Sequence, residues 1–285
     1  MNDARSVVSS AFASLAAAGV HSAESDAVTL LAHAWGRSTS DVRHAMIMRG
    51  TVDDETHQRF EALVGERARR TPLQHLTGRT GFRHLELSVG PGVFVPRPET
   101  ELLVDLALAR LPQDGVLVDL CTGSGAIALA VKQERPDASV HAVELSDQAY
   151  AWACRNRDDL HLDVEITCGS AQSAFPSLDG EVDVVVSNPP YIPDGMVPVD
   201  PEVRDHDPDM ALFGGSTDGL RIPLEVAARA AELLRSGGVL VMEHAETQGE
   251  SLPAALQRQV LWADVEDHDD LTGRPRAVSA VRAAR

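Results

Sequence analysis

The chain has 285 residues, 44% of them hydrophobic and 24% charged, enough for one large domain or for a large and a small one, each with a core. Its formal net charge of −18 disfavours nucleic acid as a partner, because such binding rests on neutralising phosphates, and it favours proteins or small molecules. No apolar run nears the roughly 20 residues that span a bilayer, the first residues lack a signal-peptide pattern, and three cysteines without metal-ligand spacing fit a reducing cytoplasm.

Residues 1–78 carry helical periodicity. ARSVVSSAFASLAAAGV sets Val8, Phe12, Leu15 and Ala18 near one face and stops at Gly19. SAESDAVTLLAHAWG repeats the pattern with Leu30, Leu31, Ala34 and Trp35. TVDDETHQRFEALVGERARRTP opens with acids and closes with Arg67, Arg69 and Arg70, which suits the helix dipole and reads as a solvated end. Together these predict a small helical bundle.

Residues 79–96 change texture. Phe82, Leu85, Leu87 and Val89 alternate, Gly90-Pro91-Gly92 marks a turn, and Val93, Phe94 and Val95 resume, which predicts a β-hairpin linking two domains. From residue 97 to 285 strand and helix patterns alternate. GVLVDLC, SVHAVEL, VEITC, VDVVVSN and GVLVMEH read as strands, separated by helices such as GAIALAVKQER and SDQAYAWACRNRDDL. A longer helix, DGLRIPLEVAARAAELLRSGG, carries a glycine stop, and the tail adds two strands around Gly273. The expected fold is α/β: a doubly wound, mostly parallel seven-stranded sheet with a terminal antiparallel hairpin.

In such a sheet ligands sit beyond the carboxyl ends of the strands, where the strand order reverses. Three strand ends carry candidate chemistry. DLCTGSG, residues 119–125, brings Gly123 and Gly125 to a turn that lets backbone approach a ligand ahead of a helix N-terminus. Glu144 ends the next strand, where a carboxylate can accept both hydroxyl hydrogens of a ribose. The glycine loop alone would also suit a nicotinamide dehydrogenase or a turn without a ligand. Asp119 beside the loop is poorly placed for a pyrophosphate and well placed for an ammonium group, which points to S-adenosylmethionine.

The third strand end is SNPPY, with Asn188, Pro189, Pro190 and Tyr191. An amide nitrogen is a poor nucleophile, so methylating one requires holding its NH2 group by both hydrogens. Asn188 offers a side-chain carbonyl and Pro189 a backbone carbonyl, held outward because consecutive prolines fix φ and cannot join a ladder. Tyr191 supplies a flat face for the planar group. Catalysis is then mainly positioning, worth up to about 7–11 kcal/mol in favourable cases.

FVPRPETE, DLCTGSGAIALA, VELS, SNPPYIP, PEVRDHDP, ALFGGSTDGL and DLTGRPR, in that order, resemble the release-factor glutamine N5-methyltransferase family over about residues 72–276. NPPY alone is shared with adenine methyltransferases, whereas PRPETE is more specific. The resemblance implies a substrate-recognising helical bundle and a hairpin before a methyltransferase domain. It also implies S-adenosylmethionine as cofactor, and as target the glutamine of the Gly-Gly-Gln loop in class 1 release factors. Carried over, Asp119, Cys121, Thr122, Gly123, Ser124, Gly125, Glu144 and Asn188 bind cofactor, while Asn188, Pro189, Pro190 and Tyr191 hold the glutamine, bordered by Phe94 and Arg97. Relatives carry an acidic adenine contact where this chain has Ser170, which puts the contacts of Ser170 and Ala171 in question.

PDGMVPVDPEVRDHDPDMALFGG is long for an unstructured loop and is expected to wall the substrate pocket, with residues 197–209 dispensable for folding. The expected enzyme is a monomer that contacts neither nucleic acid nor membrane and uses no metal. The alternatives are an adenine-N6 methyltransferase acting on a flipped base, a nicotinamide dehydrogenase, and a cofactor-binding interaction protein without turnover. The acidic charge opposes the first, Asp119 and NPPY oppose the second, and an intact NPPY opposes the third.

Overall fold

The structure is a computed structural model and describes residues 2–284. It divides into a smaller unit, running to Arg79 and including Pro198–His206, and a larger unit, Thr80–Val197 with the chain from Asp207 onward. Among the described residues no helix is long and apolar enough to cross a membrane.

The smaller unit contains helices α1 (Ala4–Ala17), α2 (Ala23–Trp35), α3 (Thr39–Met48), α4 (Asp54–Ala68) and α5 (Leu73–Thr77). Strands β1 (Asn2–Asp3) and β2 (Thr51–Val52) pair antiparallel. Capping defines the helix starts. The Asp3 carboxylate accepts the Ser6 N–H, the Asp53 carboxylate accepts that of Thr56, and Ser38 with Asp41 forms a capping box. The α1 core face is Ala4, Val7, Val8, Ala11 and Leu15, packed with Leu30, Leu31, Val42 and Phe60. Phe12, expected on that face, is 45% exposed, because the apolar stripe runs through the small Ala4 and Ala11 instead.

The arginines closing α4 also depart from expectation. Arg69 is exposed and pairs with Glu66, but Arg67 is only 6% exposed. Its Nε donates to Asp26 at 2.8 Å and its Nη1 to Glu202 at 2.6 Å. Glu202 lies on α9 (Pro201–His206) and also accepts from Arg70 at 2.8 and 2.5 Å. Residues 197–209 thus include a buried ion-pair partner of α4, which argues against the expectation that folding does not need them. Deleting them would remove one of the two carboxylates that hold the Arg67 guanidinium, leaving Asp26 and the Thr71 carbonyl.

The larger unit begins with β3 (Arg79–Phe82, its first residue in the smaller unit) and β4 (Leu85–Ser88), a two-stranded sheet. The hairpin turn falls at Arg83–His84, not at Gly90–Gly92. Arg83 has φ 49°, its N–H donates to Glu101 at 2.8 Å, and its guanidinium bonds Glu134 at 2.5 and 2.9 Å and Asp105 at 2.7 Å. Gly90 and Gly92 instead permit close packing: a Cβ on Gly90 would stand 2.7 Å from the Trp152 ring, and one on Gly92 2.1 Å from Gln148. The segment after Ser88 is not a strand, although Val89 and Val93 are buried against Ala149 and Trp152. The span 79–96 is thus a short hairpin and an irregular buried segment, which from Thr80 belongs to the larger unit.

The remaining helices are α6 (Glu101–Leu108), α7 (Ala126–Glu134), α8 (Asp147–Leu160), α10 (Asp209–Leu212), α11 (Arg221–Leu233) and α12 (Ser251–Gln257). The sheet strands are β5 (Val116–Leu120), β6 (Ser139–Glu144), β7 (Glu165–Cys168), β8 (Val182–Ser187), β9 (Leu234–Glu243), β10 (Trp262–Asp269) and β11 (Pro275–Arg282). Their order is β10-β11-β9-β8-β5-β6-β7, parallel from β9 through β7 and antiparallel at β11 and β10, which is the expected seven-stranded fold. Alternate residues serve opposite faces. Leu117, Val184, Val186 and Val241 pack with α6 and α7, while Val118, Val185, Leu240 and Met242 pack with α11 and α12. One boundary differs: helix α11 ends at Leu233 without a glycine, and Gly237 and Gly238 lie inside β9, where the register with β8 shifts between Val182 and Val184.

Candidate active site

Strand order reverses between β5 and β8, and the three expected strand ends meet there. Leu120 pairs with Ser187 on one side and with Val143 on the other. The next residues along the three strands are Cys121, Asn188 and Glu144. Ser187 Oγ donates to the Leu120 carbonyl at 2.5 Å, and the Thr122 N–H donates to the Val143 carbonyl at 3.0 Å. Register therefore starts the 121–125 loop beside Asn188 on one side and Glu144 on the other.

The loop leaves β5 through Cys121, at φ 69° despite its side chain, then Thr122, Gly123 at φ 60°, Ser124 and Gly125 at φ 85°. A positive φ at a non-glycine residue is a strained conformation that clusters at ligand sites. Nothing lies within 4 Å of where a Gly123 Cβ would stand, so its backbone faces open space. At Gly125 a Cβ would meet Leu129 at 3.0 Å, so this glycine lets the turn close onto α7.

Glu144 is buried and its oxygens are oriented by backbone: Oε2 accepts the Gly123 N–H and Oε1 the Ser146 N–H, each at 2.8 Å. Burial raises its pKa against those bonds. Asp119 is fully buried. Its Oδ2 accepts the Thr122 hydroxyl at 2.6 Å, and its Oδ1 has no hydrogen-bond partner among the described residues. Burial pushes the Asp119 carboxyl up to about 7, with the Thr122 bond and the nearby Ala128 backbone amide pulling the other way. Ser124 Oγ is a second buried atom without a partner among the described residues. Orphaned acceptors beside a glycine loop fit a ligand that brings hydroxyl and ammonium hydrogens, as S-adenosylmethionine does.

Ser170 and Ala171 follow β7, held near Glu144 because the Gly169 N–H donates to the Glu144 carbonyl at 2.8 Å. The Ser170 hydroxyl donates to Gln172.

On the other side Asn188 is half-buried, with Nδ2 donating to Thr100 Oγ1 at 3.4 Å. The Pro189 carbonyl accepts no hydrogen bond from any described residue. Tyr191 is fixed at both ends. Its hydroxyl donates to Glu243 at 3.1 Å, and its carbonyl accepts from Gln248 Nε2 at 2.9 Å. The exit from the motif packs under glycines: a Cβ on Gly219 would stand 2.1 Å from the Tyr191 carbonyl. Ile192 then bridges Phe213. Phe94 and Arg97 lie together, the guanidinium 5.2 Å from the ring centroid, with Arg97 Nη2 donating to Asp207 at 3.1 Å. Among the described residues no hydrogen bond, ion pair or ring contact joins Phe94 or Arg97 to Asn188 or Tyr191.

Family models match both units: "PrmC N-terminal domain" over residues 6–78 and "Methyltransferase small domain" over residues 85–199. A release factor glutamine methyltransferase of Streptomyces coelicolor is 48% identical over 99% of this chain and 99% of that protein. One of Mycolicibacterium smegmatis is 47% identical over 100% of each. The chain belongs to the release factor glutamine methyltransferase family. A solved methyltransferase of Pyrococcus furiosus has a TM-score of 0.54 at 16% identity, over 71% of this chain and 91% of that one, and shows the shared fold.

Sequence reading for this family member missed Thr100, Glu243 and Gln248. Glu243 gave a signal of the same kind as Glu144: an acid ending an apolar strand. Thr100 and Gln248 gave none, since each acts on a residue far along the chain.

Proposed function

We propose that this chain transfers the methyl group of S-adenosylmethionine to the side-chain amide nitrogen (N5) of the glutamine in the Gly-Gly-Gln loop of class 1 peptide chain release factors. The observation that carries the reading is the register of β5 with β8, which sets Asn188 next to the glycine loop. Asp119, Cys121, Thr122, Gly123, Ser124, Gly125 and Glu144 would hold the cofactor, with Ser170 and Ala171 beside Glu144 toward its adenine and Asn188 at its reactive end. When bound, the cofactor supplies an electrophilic sulfonium methyl. Everything else falls to the protein.

Asn188 and Pro189 supply carbonyl oxygens for the two hydrogens of the target NH2, Tyr191 and Pro190 bound its planar face, and Phe94 and Arg97 border the entry. Gripping both hydrogens prevents rotation and aims the nitrogen. No strong base is needed, because the proton becomes acidic only once the nitrogen has been alkylated, and the same carbonyls accept it on its way to water. The helical unit, residues 1–78, is proposed to recognise the substrate protein.

The decisive experiment incubates the protein with methyl-labelled cofactor and either a release factor or the same factor with its loop glutamine replaced. Label is expected on the first alone; label on both defeats the assignment. Asn188→Ala should lose about 10²–10³ in turnover, the usual scale for one preorganised hydrogen-bonding group, with circular dichroism unchanged.

A further inference from the structure

We propose that Gln248 is a positioning residue for the reaction. Its buried amide ties the Tyr191 carbonyl to the 210–219 segment and to the exit of β9, and so fixes the Asn188 and Pro189 carbonyls that grip the substrate amide. The proposal rests on the amide-methylation reading above and adds one residue to it.

Residues 188–191 form a stiff stretch with few handles. Pro189 and Pro190 have φ locked and carry no N–H, so the donors that tie down an ordinary loop are missing here. The stretch is placed by its two ends. The near end is β8, where Ser187 pairs with Leu120 and donates through Oγ to the Leu120 carbonyl at 2.5 Å. The far end is Tyr191, whose carbonyl accepts from Gln248 Nε2 at 2.9 Å.

Gln248 is 3% exposed, and three hydrogen bonds use its amide. Nε2 donates to the carbonyls of Tyr191 and Asp218, and Oε1 accepts the Ala245 N–H, each at 2.9 Å. These partners settle which end of the amide is which. Turned over, it would set its oxygen against two carbonyls and its NH2 against an N–H.

A second hold on the motif leads back to the same amide. The Ile192 N–H donates to the Leu212 carbonyl and the Gly214 N–H donates to the Ile192 carbonyl, each at 2.8 Å. Gln248 pins that segment in turn, through Asp218. Gly219 lets the pieces close: a Cβ there would stand 2.1 Å from the Tyr191 carbonyl and 2.9 Å from Gln248 Nε2. The exit of β9 is itself anchored to the sheet, because the His244 N–H donates to the Arg276 carbonyl at 3.0 Å. Glu243, on the same exit, accepts from the Tyr191 hydroxyl at 3.1 Å. Both ends of the tyrosine are thus set from β9.

The test replaces Gln248 by Met, which fills similar space and donates nothing. Gln248→Met should lower kcat on the release factor about tenfold or more. KM for the release factor and cofactor affinity by calorimetry should each stay within about threefold of wild type. Combined with Asn188→Ala, the loss should fall short of the product of the two single losses, because the two gripping carbonyls act as a unit. Should Gln248→Met not fold, Gln248→Glu takes its place with the same expected split: it keeps the shape and the acceptor for Ala245, but it sets an oxygen against two carbonyls. Wild-type kcat in a folded variant, cofactor affinity lost in step with kcat, or losses that multiply in the double variant each overturn the proposal and leave the function standing. Failure of both single variants to fold marks Gln248 as scaffold and also overturns it. If the wild-type protein does not label the release factor, the functional reading itself has failed.

Discussion

Two regions of this molecule bury charge, and they treat it in opposite ways. In the smaller unit Arg67 and Arg70 meet Asp26 and Glu202 in a cluster whose hydrogen bonds run at 2.5 to 2.8 Å. Burial would raise the Glu202 pKa, but the bonds from Arg70, Asp200 and Arg67 win and hold it well below the usual range. At the strand ends of the larger unit Asp119, Glu144 and Glu243 are also buried, yet burial wins and all three are shifted upward. Two of them keep an oxygen without a partner. A satisfied charge cluster is scaffold, whereas buried acids left short of partners await a ligand or orient a neighbour.

The largest expected effect breaks the scaffold side. Glu202→Ala leaves the buried Arg67 with Asp26 as its one carboxylate and should cost about 3–5 kcal/mol of unfolding free energy in urea titration. An unchanged midpoint would mean that the cluster contributes nothing net.

The same class of change should have the opposite sign at the strand ends. Asp119→Asn removes a buried charge that has no countercharge in the free protein. At pH 8 it should leave the free protein as stable as wild type or more so, while weakening S-adenosylmethionine binding about tenfold, the scale of one charge-assisted hydrogen bond. Lost stability together with unchanged affinity would reverse the comparison.

A pH series sharpens it further. The folded Asp119 pKa, about 7, lies above its ordinary 3.8, so between those values the native state holds the extra proton. The Asp119 contribution to stability therefore falls as pH rises through that window, and Asp119→Asn should show a shallower fall. A cation beside the carboxylate favours its ionised form, so cofactor affinity should rise with pH through about 7 in wild type. That rise should flatten in the variant. A cofactor affinity independent of pH between 6 and 8, values about 1 unit on either side of the midpoint, would remove the ammonium from Asp119.

The smallest effect is expected at Arg69, exposed at the C-cap of α4 and paired, among the described residues, with Glu66 alone. Arg69→Ala should shift stability by less than about 0.5 kcal/mol. A larger loss would extend the charged scaffold to the surface.

The sequence by itself determined the sheet, its helices and the strand-end positions of residues 119–125, 144 and 188–191. Each of those signals is local: alternation of apolar residues, glycines at a turn, a polar residue where an apolar run stops. Only the tertiary structure decided the partners of Arg67 and Glu243. The partners of Arg67 lie 41 and 135 residues away, and Glu243 stands 52 residues from the tyrosine it holds. Tertiary structure also moved the hairpin turn from Gly90–Gly92 to Arg83, where two acids hold the side chain and a third the backbone N–H. Periodicity reports which face of an element is apolar. It carries no record of which distant polar group will arrive to satisfy a buried one, and in this protein that arrival separates scaffold from site.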